Sequence, residues 1–115
     1  MATLTLSAVE QVAVLNHLRI QLSRLPSGSE DALNIKIIVS RIEHRRVIAL
    51  NPYESVIMLR YLRKQATALL MDMIALEERR IRGGFNGQLE NAHRALDADR
   101  VTIEDVIRRL WAIIL

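Results

Sequence analysis

Between Asn51-Pro52 and Gly83-Gly84 the chain runs for about thirty residues without a glycine or a proline. Inside that run Leu59, Leu62, Ala66, Leu69, Met73 and Leu76 recur at a 3–4–3–4–3 spacing. Heptad spacing of this kind puts one apolar seam along a helix. At 1.5 Å per residue a helix over 52–82 is about 45 Å long. Whatever packs on it has to be equally long, or has to come in pieces. The helices expected before it, over 7–25 and 30–50, are each about 30 Å long. Two shorter helices, expected over 87–97 and 102–114, or a second copy of the chain, must cover the rest.

The boundaries follow from capping chemistry. Ser7 with Glu10 has the form of a capping box, and Ser27 with Glu30 repeats it after Pro26. Asn51, Pro52 and Glu54 supply a cap, a first-turn proline and an acidic third position. Thr102 with Asp105 offers a fourth start, and Asp97 to Arg100 reads as a break before it. The arginines Arg79, Arg80 and Arg82 precede the Gly83-Gly84 stop, where positive charge suits a helix C-terminus. Strand-like alternation does not compete with the helical period over any useful length.

These signals predict an all-α fold: a helical bundle of four to five helices with one long central helix, forming a single domain over 1–115. Half of the residues are hydrophobic, and only Tyr53, Tyr61, Phe85 and Trp111 are aromatic. Such a core is built from Leu, Ile, Val, Ala and Met, as helix-on-helix packing favours. The chain has no cysteine, which excludes disulfides, thiolate catalysis and cysteine-ligated metals. No uncharged apolar run approaches the roughly 18 residues of a membrane span. The N-terminal residues lack a basic segment followed by an apolar one. The expectation is a cytoplasmic protein with no membrane contact.

Helix two points to self-association. Ile35, Ile38, Val39, Ile42 and Ala49 form one stripe, while Leu33, Ile37, Ser40, His44 and Val47 form another on nearly the opposite face. A helix that is apolar on two sides is normally surrounded. The second stripe is therefore expected to be a homo-oligomer seam, with Ser40 and His44 as polar members that set register.

Charge is uneven. Residues 36–64 hold seven basic residues against two acidic ones, within a chain of net charge +3. Arg41, Arg45, Arg46, Arg60, Arg63 and Lys64 are expected to form a basic surface across helices two and three, suited to an anion, nucleic acid or an acidic partner. The low net charge and scarce aromatics count against nucleic acid, although shape-based duplex binding needs neither.

Catalytic and metal signatures are thin. Glu90 and His93 share one helical face, but a di-iron bundle needs two such pairs and two further glutamates; Glu90 with Arg94 is an ordinary i,i+4 pair. His17 has no carboxylate three or four residues away. The single Arg82-Gly-Gly-Phe85 string reads as a helix stop rather than an RNA-binding repeat. No catalytic residue, metal ligand or cofactor is assigned. The expected function is a non-enzymatic binding or regulatory protein that works through protein–protein contacts as a homodimer or higher oligomer. Two alternatives stand beside it: sequence-independent binding of duplex nucleic acid by the arginine patch, and capture of a nucleotide-like anion between subunits.

Overall fold

The computed structural model describes residues 2–84 and 87–115; Phe85 of the Arg-Gly-Gly-Phe string lies outside them. The order of elements is β1 (Ala2–Thr5), α1 (Ala8–Arg24), α2 (Glu30–His44), β2 (Val47–Leu50), α3 (Pro52–Gly83) and α4 (Gly87–Ile114). The chain is mostly helical, as expected, and differs from the expectation at three places.

The first difference is the two-stranded sheet. β1 pairs antiparallel with β2, Ala2 opposite Leu50 and Thr5 opposite Val47. Residues 45–50, expected to end helix two, turn extended at Arg45 (φ −145°, ψ 147°) and then form β2. Each strand has four residues, too short to show a period in a sequence window. The pattern is nevertheless that of a half-buried ribbon: Leu4, Leu6, Ile48 and Leu50 are buried, and Thr3, Thr5, Val47 and Ala49 are exposed. Pairing across the sequence, rather than local propensity, decides these residues.

The second difference is at the C-terminal end. Asp97 to Arg100 does not break the chain, and α4 is a single 28-residue helix. The charges expected to mark a turn pair along the helix instead. Arg100 bonds Asp97 at 2.7 Å and Glu104 at 2.8 Å. The Thr102 hydroxyl, expected as a cap, donates to the Ala98 carbonyl at 2.9 Å. Without a glycine or proline there, nothing interrupts the backbone ladder.

Third, α2 starts under Ser29 rather than Ser27. The Ser29 hydroxyl accepts from the Ala32 N–H, and Gly28 takes a left-handed φ of 81° in the turn before it. The other starts are as expected. Ser7 and Glu10 form a complete capping box, as do Asn51 and Glu54. α3 stops at Gly84, whose φ of 77° suits glycine.

The core lies where α1, α2, the ribbon and the base of α3 and α4 converge. Val14, Leu18, Ile35, Ile38, Ile42, Met58, Leu62, Ile103 and Leu110 are among its fully buried members. Each large side chain removed from water here contributes about 1.5–3 kcal/mol. Past Leu69 on α3 and before Ile103 on α4, no described residue is buried. The outer parts of the two longest helices thus leave the core together as an antiparallel arm, and the molecule measures 50 × 29 × 26 Å. No helix among the described residues is long and apolar enough to cross a membrane.

Candidate interaction surface

The two stripes of α2 separate cleanly. Ile35, Ile38, Val39 and Ile42 are buried in the core. Leu33, Ile37 and Val47 remain 51, 47 and 54 % exposed, and Ser40 and His44 are exposed with them. The heptad-spaced set Leu33, Ile37, Ser40 and His44 therefore faces outward along the whole helix. Val47, although on β2, extends the same surface, because the outward face of the ribbon adjoins the end of α2. Ala49, assigned to the inner stripe on the assumption of a longer helix, is on the exposed side of the strand.

At the C-terminal end of α2 the surface dips into a groove of about 630 Å³ between helix and ribbon. Ser40, Arg41, His44, Arg45, Val47, Ile48 and Ala49 line it. One wall is the free edge of β2. The Leu6 N–H donates to the Arg46 carbonyl, so residues 46, 48 and 50 bond β1 and residues 47 and 49 turn their backbone groups outward. Arg41 covers part of that edge: its Nη1 donates to the Ala49 carbonyl at 3.2 Å and to Glu54 Oε2 at 2.7 Å. The opposite edge has a matching guard, Arg109, which donates to the Thr5 carbonyl at 2.6 Å and pairs with Glu10.

Glu54 is the keystone of this corner. Its residue is 4 % exposed, and its other carboxylate oxygen accepts the Asn51 N–H at 3.0 Å. Burial pushes its carboxyl up, but the Arg41 guanidinium and the Asn51 N–H outweigh burial and hold it below the usual carboxylate range. Glu10 behaves alike: burial raises it, while the bonds from Arg109 and Ser7 bring it lower overall.

The expected basic surface is divided. Arg60 lies at the N-terminal end of α2, 3.4 Å from Asp31, which also accepts the Tyr61 hydroxyl. Ten residues of helix, about 15 Å, separate that point from Arg41. Burial and the Asp31 carboxylate together raise the Tyr61 hydroxyl above its usual value. Arg63 turns toward α4 and lies over Trp111, 5.9 Å from the ring centre, and Lys64 lies over Tyr61 at 4.8 Å. Among the described residues Arg45 and Arg46 have no side-chain partner; both are exposed beside the groove. So α2 and α3 do not gather the six cations into one patch. They leave two arginines next to the apolar stripe and tie the other four into the fold.

A second polar site was not visible in the sequence. His17 is buried between α1, α3 and α4, with Nδ1 2.7 Å from Gln65 Oε1 and Nε2 2.7 Å from Asp99 Oδ2. The Gln65 amide nitrogen is buried without a partner. Turned over, that carboxamide would offer Nδ1 a donor instead of an acceptor, so it can serve the ring in either protonation form. Both ring nitrogens are engaged, which leaves none for a nucleophile or a metal. The one signal in the sequence was a histidine between apolar stripes, which had to find its partners far along the chain. On α4, Glu90 pairs with Arg94 at 3.5 Å. Among the described residues no group of three His, Asp or Glu side chains converges on a metal position.

Fold and surface together define a small helical protein with a two-stranded ribbon, an outward apolar helix face and a projecting two-helix arm. No known protein family, curated protein or solved structure matches this chain.

Proposed function

We propose that the chain is a non-enzymatic binding protein of regulatory type, working through protein–protein contacts as a homodimer or higher oligomer. One observation carries this reading: Leu33 and Ile37 of α2 stay about half exposed, with Val47 of β2 extending their surface, while Ile35, Ile38, Val39 and Ile42 on the opposite face of the helix are buried in the core. A contiguous apolar face on a folded domain calls for a protein surface to cover it. The α2 ends favour a second copy in antiparallel orientation. Glu30 sits at one end and the unpaired Arg45 at the other, so a two-fold axis near Ile37 brings those opposite charges together.

The test is sedimentation at tens of micromolar of the native chain and of the double variant Leu33→Asp, Ile37→Asp. The native mass should exceed one chain, and the variant should lose association while melting as a folded protein. A native chain that sediments as a monomer refutes the reading. The unpartnered Arg45 and Arg46 beside the groove support a second reading, in which an anion, either duplex phosphate or a nucleotide-like ligand, binds there. It predicts steep loss of binding with salt and loss on reversing both charges to Glu; no gel retardation at low salt and no nucleotide-induced rise in melting temperature would dispose of it.

A further inference from the structure

The arm carries a second outward face, and it is complementary to itself. On α3, Thr67, Leu70, Ile74 and Ile81 lie on a flank that the core does not cover. Met71 and Ile81 are 59 and 76 % exposed, and Leu70 and Ile74 are close to half exposed. α4 packs against a different side of α3, where Asp72, Leu76, Glu77 and Arg80 share grooves with α4 residues and Arg63 lies over Trp111. The leucine seam read from the sequence is thus answered within the chain, and the Leu70–Ile74 face is the one left over.

The charges fix what fits there. The exposed Lys64 lies about two turns before the apolar centre, and the exposed Glu78 lies about two turns after it. Turn an identical helix antiparallel about an axis between residues 70 and 71, so that paired positions sum to 140–142. Leu70 then meets Leu70 of the partner subunit, and Met71 meets Met71 of the partner subunit. Thr67 meets Ile74 of the partner subunit at the centre. Lys64 faces Glu78 of the partner subunit. The two-fold repeats that opposite-charge contact on the far side of the axis. A parallel pairing would bring like charges together instead.

We infer that the α3 arm face binds the same face of a second copy, antiparallel, with the axis between Leu70 and Met71. The inference rests on the reading that the chain self-associates, and it names a contact separate from the α2 stripe. Charge swaps test it, read by sedimentation and checked for folding by circular dichroism. K64E and E78K should each weaken association about tenfold, because like charges then face each other. The double variant K64E/E78K restores opposite pairs and should recover association. L70C introduces the chain's only thiol, beside the axis, and should oxidise to a disulfide-linked dimer, whereas N91C on the exposed side of α4 should not. A K64E/E78K variant that stays dissociated overturns the contact, as does L70C that cross-links no better than N91C. If mass falls only in the Leu33→Asp, Ile37→Asp variant, the arm contact is refuted and self-association through α2 survives. A native chain that sediments alone removes both.

Discussion

Replacing Glu54 with Gln tests whether the Arg41–Glu54–Asn51 corner holds helix, ribbon and α3 together. The amide keeps an oxygen for the Asn51 N–H but turns an NH₂ group toward Arg41, where a donor now meets a donor. Losing one partner of a fully buried pair costs about 3–5 kcal/mol, whereas exposed pairs are worth about 0–1 kcal/mol. Here the Glu54 side chain is 5 % exposed and that of Arg41 38 %, so one charge is dry and the other partly wet. An intermediate cost of about 2 kcal/mol is expected, which lowers the melting temperature by roughly 6–10 °C for a chain of this length. The sign with pH is fixed by the direction of the shift. Glu54 lies below the usual carboxylate range in the folded protein, so its contribution is complete at pH 7 and is lost as pH falls through the folded value. Urea unfolding of both proteins at pH 7 and at successively lower pH measures this, and the gap should narrow with acid. A gap under 0.5 kcal/mol at pH 7, or one that does not change with pH, would refute the reasoning.

Two further outcomes are expected. His17→Leu leaves the Gln65 amide and the Asp99 carboxylate without their buried partner and should cost about 2–4 kcal/mol in chemical denaturation; a loss below 1 kcal/mol would show the node to be incidental. On α2, Ile42→Ala should cost about 2–5 kcal/mol because it opens the core. Ile37→Ala, on the outward face, should stay within about 0.5 kcal/mol of the native chain when both are measured as dissociated monomers; equal losses would mean the two faces are not distinct.

The sequence was most informative where a local rule acts alone. Ser7 with Glu10, Asn51-Pro52 with Glu54, and Gly84 each set a helix end through neighbouring residues, and α3 ran its full expected length. The reading went astray where distant residues decide. Val47 to Leu50 look helical beside the apolar run of α2, and only the threonine–leucine alternation at residues 3–6 pairs them into a ribbon. Asp97 to Arg100 are polar enough to suggest a turn, yet their ion pairs run along one helix. The α2 seam was legible as a face, because heptad spacing survives without tertiary knowledge. The basic surface was not: Arg60 belongs with Asp31 and Arg63 with Trp111, which are pairings across elements. His17 needed Gln65 and Asp99, on two other helices, before its burial made sense.

The arm has a mechanical consequence. α3 and α4 run unbroken from core to tip, about 48 and 42 Å at 1.5 Å per residue, with no described hinge where they leave the core. Gln65 and Asp99 lie at that exit, and His17 bonds both. The pair is therefore a cantilever clamped at one imidazole. A load that twists or slides the free ends shears two short hydrogen bonds, the Gln65 one in a dry site, so contact at the arm should move the His17 ring resonances, tens of ångströms from where the load is applied.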